Sequence, residues 1–324
     1  MSFRSPVADQ LFVLDHIVGY DRVARTARFA GADRAPAAAI LTEAGRLCDD
    51  TARLEFSGGR TPQGLAEAVA AIAAGGWVGA AADPAYGGLG LPVTLQTAVS
   101  EMMSGANLAL QICPLLTQGQ IEALEHHASD AIKALYLPKL TSGSWTGTMN
   151  LTEPQAGSDV GAVRTEATVR GDGTYAVSGQ KIYISYADHD MAENICHLVL
   201  ARLPGAAPGT KGISLFLVPK RLPDAEGRPG VANGVKVVSL EHKLGLHGSP
   251  TAVLQFEEAT GWLVGAPHGG MAAMFTMMNN ARLGVGVQGV GSAEGAYQQA
   301  RAYATERHQG ATPTGAPGIA DHAD

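Results

Sequence analysis

Apolar and polar positions along this chain fall into three successive rhythms. From about Pro6 to Leu140 the pattern is helical, with Ala35–Phe56 poor in β-branched residues. Thr61-Pro62 supplies a cap and a first-turn proline for a helix over Gln63–Ala74. Leu95–Ile112 reads as an apolar, buried helix, and Gln118–His127 and Ala131–Leu137 read as shorter ones. ADPAYGGLGLP (Ala82–Pro92) reads as a loop from its Pro and Gly content. The rhythm then shifts to strand: Trp145–Leu151, Val163–Arg170, Tyr175–Val177, Lys181–Tyr186, Ile195–Leu203, Gly212–Val218, Val235–Leu240 and Ala252–Phe256, with Gly171-Asp172-Gly173 as a hairpin connection. Pro204–Lys211 and Pro223–Gly234 read as loops. Met271–Arg307 is helical again and apolar nearly all round, so it needs partners on several sides. The pattern divides the chain at 1–142, 143–265 and 266–324, with short strands at a spacing that suits a sandwich or barrel in the middle.

The stretch MNLTEPQAGSDVGAVRTEATV, Met149–Val169, concentrates the chemistry. An extended run breaks at Pro154 into a Gly-Ser-Asp turn and then resumes as strand. Thr152, Gln155, Ser158 and the turn's N–H groups are expected to face one small volume. Neutral donors of this kind suit a planar polar cofactor and its pyrophosphate better than a metal or a nucleophile.

Composition narrows the classes. With 324 residues, 46% of them hydrophobic, the chain can bury a substantial core. A net charge of -7 and the lack of a basic stripe argue against nucleic acid and for a cytoplasmic protein. Cys48, Cys113 and Cys196 show no metal spacing and read as buried free thiols of a reducing compartment. The N-terminal stretch is interrupted by Asp9, Asp15 and His16, unlike a secretory signal, and Gly270–Met278 is far too short to span a bilayer. Gly284, Gly286 and Gly289 satisfy GxGxxG, but the preceding FTMMNNARL is helical, so these glycines read as close helix packing. His189, Glu193 and His197 would form a metal face only on a helix, and ICHLVLARL reads as strand, so no metal site is assigned. No nucleophile elbow is present.

The order helical region, β region opened by LTEPQAGSD (Leu151–Asp159), helical region resembles the acyl-CoA dehydrogenase family. YGGLGLP (Tyr86–Pro92), GQKIYIS (Gly179–Ser185), KLGLHGSPT (Lys243–Thr251), ARLGVGVQG (Ala281–Gly289) and YATERHQG (Tyr303–Gly310) follow in the family's order, and the resemblance runs the whole chain. ENICHLVLAR and FTMMNNARLGVG look like the long branch typified by 3-methylmercaptopropionyl-CoA dehydrogenase. The resemblance implies an α+β fold: an N-terminal all-α domain, a middle β-barrel or sandwich, and the start of a C-terminal α-helical bundle.

It also implies a chemistry, the FAD-dependent α,β-dehydrogenation of an acyl-CoA thioester, with electrons passed to an electron-transfer flavoprotein. By resemblance Met149, Leu151 and Thr152 line the isoalloxazine, and the Thr152 hydroxyl bonds its pyrimidine edge. Ser158 holds the FAD pyrophosphate or the adjoining acyl-CoA. Tyr183 stands where relatives place an aromatic, commonly Trp, against the flavin, and Ser185 replaces a common Thr. Fixed donors on a ring that becomes anionic favour its reduced state. Arg307 matches an arginine that reaches the FAD of a neighbouring subunit, which implies a homo-oligomer. Arg282 matches a recurring arginine on the substrate side. Each has a bland alternative: Thr152 and Ser185 as ordinary strand residues, Ser158 as a turn cap, Tyr183 as core, Arg307 as helix-end charge. Glu153 reads as a backbone organiser.

No catalytic base is assigned. In most of the family it is a Glu in a later part of the C-terminal domain than these residues reach. Some branches place it directly before the arginine matched by Arg282, where this chain has Ala281, with Asn279 and Asn280 also neutral. A positioned base contributes about 10²–10⁴ in rate, so the chain alone is expected to be inactive or nearly so. It reads as a C-terminally truncated fragment, because wetting the large apolar side chains of the last helix costs roughly 1.5–3 kcal/mol each. A non-catalytic flavin- or acyl-CoA-binding module and an acyl-CoA oxidase of similar fold are the competing readings.

Overall fold

The computed structural model describes residues 3–52, 54, 64–316 and 318–322. The expected cap at Thr61-Pro62 lies outside the described residues. The chain forms two compact units: Met1–Leu54 with Thr97–Leu108 and Val285–Asp324, and Glu55–Gln96 with Ala109–Gly284.

The helices are α1 (Val7–Val13), α2 (Asp21–Ala24), α3 (Arg34–Thr51), α4 (Leu65–Ala74), α5 (Val93–His127), α6 (Asp130–Thr141) and α7 (Gly270–Glu306). Asp33 caps α3 by accepting from Ala35 N, and Ser129 caps α6 by accepting from Ile132 N. The sequence divided α5 around Pro114, but the structure carries one helix through that proline. Its discontinuity lies instead at Asn107, which has non-helical φ −158 and ψ 93. Of the GxGxxG glycines, Gly284 packs tightly: a Cβ there would lie 2.3 Å from Leu115 Cδ1. Gly286 and Gly289 have open space around the Cβ position, so packing explains only one of the three.

The larger unit contains β1 (Trp145–Asn150), β2 (Glu166–Val169), β3 (Tyr175–Ser185), β4 (Asn194–Arg202), β5 (Ile213–Pro219), β8 (Val235–Leu240) and β9 (Thr251–Val264), together with a small hairpin of β6 (Arg221–Pro223) and β7 (Pro229–Ala232). The sequence read Pro223–Gly234, which holds β7 and the last residue of β6, as loop because of its Pro and Gly content. β4 pairs antiparallel with β5, β5 with the end of β9, β9 with β3 and β3 with β2, and β2 returns to β4 in parallel at Glu166↔Arg202. The sheet therefore closes on itself as a barrel. β1 lies parallel beside β4, and β8 lies beside β9. Val177, Val199, Phe216, Val218, Leu254 and Phe256 fill the interior.

Two strands read as separate, Tyr175–Val177 and Lys181–Tyr186, are one strand. Their continuity is hidden by register shifts at Val177/Gly179 and Lys181/Ile184. Gly179 has φ +152, and a Cβ there would lie 2.4 Å from Thr165 Oγ1. Glycine thus lets β3 approach the entry to β2, although a glycine inside a strand reads as a break.

Candidate functional site

β1 ends at Asn150, and its continuation is stitched to β3. Lys181 Nζ donates to Leu151 O at 2.9 Å, and Ile182 N donates to Thr152 O at 3.0 Å. Glu153 and Ala156 then exchange backbone hydrogen bonds, both 3.0 Å, across Pro154-Gln155. Proline fixes φ and has no N–H to satisfy, which suits this tight reversal.

The carboxylate of Glu153 is buried and surrounded by donors. It accepts from Lys181 Nζ at 2.8 Å, Thr165 Oγ1 at 2.6 Å, Thr165 N at 3.0 Å, Arg164 N at 2.8 Å and Gln155 Nε2 at 2.6 Å. Burial works against its charge, but the Lys181 ammonium and the other donors win and hold its pKa down to about 2. Burial pulls Lys181 down to about 8, opposed by Glu153, so the pair is ionised at neutral pH. Glu153 is fully engaged as an acceptor and has no free lone pair geometry for a base. It clips the beginning of the Pro154–Val163 loop to the residues that end it.

Between those ends Gly157, Ser158 and Asp159 are exposed. Among the described residues no protein acceptor takes the N–H groups of Gly157 and Ser158. Successive free N–H groups on a clipped loop make an anion-binding concavity. The Gln155 amide does not join it: this side chain turns back to Glu153 and to Ala162 O at 3.2 Å, which corrects the expectation that it faces the shared volume.

Thr152 and Ser185 are half-buried, as are Met149 and Leu151. The Ile182–Thr152 hydrogen bond sets Thr152 against β3 at Ile182, the residue before Tyr183; Ser185 ends the same strand, paired with Thr251. Tyr183 is not core. It is 63% exposed, with φ +60, on the register shift of β3. A left-handed backbone at a bulky aromatic costs on the order of 1–3 kcal/mol, and such residues persist where the surroundings impose them, commonly at sites of function. The bulge turns the Tyr183 ring out of the alternation, while Ile184 remains in the barrel interior.

Between β1 and β4, Asn150 Nδ2 donates to Thr148 Oγ1 at 2.8 Å, and that hydroxyl lies 2.7 Å from His197 Nδ1. His189 Nε2 lies 3.1 Å from Thr146 Oγ1. Burial lowers the two imidazoles to about 3 and about 4 respectively, so both are neutral interior groups. Among the described residues no cluster of three or more metal-ligating side chains occurs. Burial pushes the thiols of Cys48 and Cys113 up to about 12, and Cys196 is likewise raised, so none of the three free cysteines is poised as a nucleophile.

Arg282 is exposed on α7, where it donates to Asn279 Oδ1 at 3.0 Å and stacks over Phe275. Asn280 donates to Glu122 Oε2 at 2.7 Å. Arg307 belongs to the other compact unit, where it lies over the Tyr303 ring and bonds Gln309. Sequence reasoning gave no role to Lys181 or Arg202. The available signal was a basic residue near one end of each of two strand runs, Lys181–Tyr186 and Ile195–Leu203.

Residues 30–144 match the family model for the acyl-CoA dehydrogenase N-terminal domain, and residues 148–259 match that for the acyl-CoA dehydrogenase middle domain. The chain belongs to the acyl-CoA dehydrogenase family. It is similar to a 3-methylmercaptopropionyl-CoA dehydrogenase of Ruegeria pomeroyi, 44% identical over 321 residues that cover 95% of this chain and 55% of the relative. A broad-specificity linear acyl-CoA dehydrogenase of Mycobacterium tuberculosis is 38% identical, covering 96% of this chain and 54% of its own length. The chain spans about half the length of these curated relatives. Among solved structures, an acyl-CoA dehydrogenase complexed with FAD from Bacillus anthracis superposes with a TM-score of 0.66 at 28% identity, covering 77% of this chain and 40% of that one. The middle-domain match begins at Thr148, on the strand that leads to Thr152. Among the described residues no helix is long and apolar enough to cross a membrane.

Proposed function

We propose that this chain provides the flavin-holding part of an acyl-CoA dehydrogenase that oxidises an acyl-CoA thioester at its α,β bond. The observation that carries this reading is Thr152, bonded to β3 beside the outward Tyr183 and leading into a turn with free N–H groups. Uncharged donors and an outward aromatic fit a planar redox ring, and the exposed Gly157-Ser158 turn fits a diphosphate. FAD bound there would supply the hydride acceptor. Thr152 and Ser185 would orient the ring by hydrogen bonds, Met149, Leu151 and Tyr183 would line it, and Ser158 would bind the diphosphate or the adjoining acyl-CoA. Arg282 would serve the substrate side. Arg307 would serve a neighbouring subunit's cofactor in a homo-oligomer. An electron-transfer flavoprotein would take the electrons. The domain division at 1–142, 143–265 and 266–324 goes with this reading, as does a cytoplasmic setting for the free thiols.

Within these residues no base is assigned: Ala281 precedes Arg282, and Asn279 and Asn280 are neutral. That observation favours a second reading for the 324 residues taken alone, a flavin- and acyl-CoA-binding module without turnover. One experiment separates the two. The purified chain is loaded with FAD and mixed anaerobically with saturated acyl-CoAs of several lengths. Uptake of FAD without bleaching of its visible absorbance supports the module, and bleaching that an electron-transfer flavoprotein reverses supports the complete reaction. A folded chain that takes up no flavin removes both.

A further inference from the structure

Arg202, at the end of β4, has an unusual set of partners. Its Nε donates to Val163 O at 2.7 Å, Nη2 to Gly161 O at 2.5 Å and Gly209 O at 2.8 Å, and Nη1 to Ala207 O at 2.9 Å. All four acceptors are backbone carbonyls. Two lie in the return of the Gly157–Val163 loop, and two lie in the Pro204–Gly212 connection. Among the described residues no carboxylate stands within ion-pair distance of this guanidinium. Gly212 is part of the arrangement, because a Cβ there would lie 1.8 Å from Ala207 O and 2.9 Å from Arg202 Nη1.

The Val163–Arg164 peptide joins this cage to Glu153. Its oxygen accepts from the Arg202 guanidinium, and its N–H donates to Glu153 Oε2 at 2.8 Å. One residue on, Thr165 N donates to Glu153 Oε1, and Thr165 O accepts from Arg202 N at 2.8 Å. Residues 163–165 are therefore gripped on both sides, by a cation and by an anion. Hydrogen bonds in such a chain polarise and strengthen one another. The free N–H groups of Gly157 and Ser158 sit on the loop whose exit is held this way.

We propose that Arg202 is a positioning residue for a dinucleotide diphosphate at the Gly157-Ser158 turn, acting through the carbonyls it holds and without touching the ligand. The claim rests on the flavin reading above. Holding the Gly161 and Val163 carbonyls on the guanidinium engages their negative ends and fixes the exit of the loop, and a cation on that loop without a carboxylate partner among the described residues favours an anion. Only the planar fork of arginine reaches both loops; a lysine ammonium is a point donor on a flexible stem.

The test is FAD titration of the intact protein and of its Arg202→Met and Arg202→Lys variants, with the absorption fine structure of the bound flavin recorded at saturation. Both variants are expected to weaken FAD binding at least tenfold while the saturated spectrum stays as in the wild type, since the residues proposed to line the ring are unchanged. Lysine retains the charge, so its loss of affinity isolates the fork, and it serves as the decisive variant if the methionine protein does not fold. Wild-type affinity in Arg202→Lys overturns the proposal. So does a spectrum that changes in step with affinity, which is the mark of general collapse of the barrel end. If the wild type itself takes up no FAD, the failure belongs to the flavin reading.

Discussion

Lys181 Nζ meets Glu153 Oε1 at 2.8 Å, and the lysine is fully removed from water. The same ammonium reaches Leu151 O at 2.9 Å, so one cation joins the end of β1, the turn that follows it, and β3. Removing two charges from water is costly, and a buried pair is weak evidence of net stability. Its consequence here is geometric: Leu151, Thr152 and Glu153 have one backbone path relative to β3.

Removing one partner leaves the other buried and unpaired. Lys181→Met is therefore expected to lower unfolding free energy by about 3–5 kcal/mol. Glu153→Gln added to Lys181→Met should restore part of that loss, because the orphaned charge is gone. Urea unfolding of the two single variants and the double variant checks this as a mutant cycle. A double variant no more stable than Lys181→Met would show that the pair does not act as a unit.

Tyr183 trades backbone comfort for an outward ring. Tyr183→Gly relieves a left-handed backbone that costs about 1 kcal/mol or more, offset by roughly 0.4–1 kcal/mol of chain entropy in the unfolded state. Thermal stability without flavin should stay level or rise, while flavin affinity falls. Tyr183→Trp should keep the affinity. A glycine variant that binds flavin as well as the wild type would reduce Tyr183 to an accident of the bulge.

In the proposed flavin reading, the Thr152 hydroxyl would donate to a ring that gains negative charge on reduction. Thr152→Val should lower the bound flavin's two-electron potential by on the order of 30 mV, equivalent to about 1.4 kcal/mol. Spectroelectrochemistry of the flavin-loaded protein reads this directly, and an unchanged potential would take the hydroxyl off the ring.

Acid should destabilise the folded chain in two stages. His189 and His197 are held at about 4 and about 3, below their ordinary 6.5. Between those values the unfolded chain binds protons that the native state refuses, so stability falls as pH drops below about 6.5. Glu153, lowered from 4.5 to about 2, adds a loss of the same sign as pH falls through that window. Each fully displaced group contributes about 1.4 kcal/mol per pH unit. His197→Gln should flatten the first stage in pH-dependent urea unfolding. An unaltered slope would mean that the imidazole is protonated in the native state.

Much of the molecule was legible from pattern. Helices were readable from Ala35 onward, β1, β4, β5 and β8 appeared within a residue or two, and α7 within one residue at each end. Those segments state their environment locally, by alternation, by β-branched runs or by the lack of both. β3 did not, because Gly179 and the shift at Lys181/Ile184 interrupt a strand that its neighbours hold together. Asn107 in α5 was missed because the proline at 114 was the stronger local signal. The site divides in the same way. The Leu151–Asp159 wording pointed to the turn, whereas the direction of Gln155 and the exposure of Tyr183 depend on neighbours distant in sequence.

By itself the sequence determined the order of helical and strand regions and the family, since each is written in short motifs and periodicities. Only the tertiary structure decided that the sheet closes through Glu166↔Arg202 and that Lys181 faces Glu153. It alone showed that Arg202 holds four carbonyls from two loops. The physical reason is that a charge inside an apolar strand reveals only that it needs partners; which groups meet it is set by strand register and loop closure, and those are properties of the folded chain.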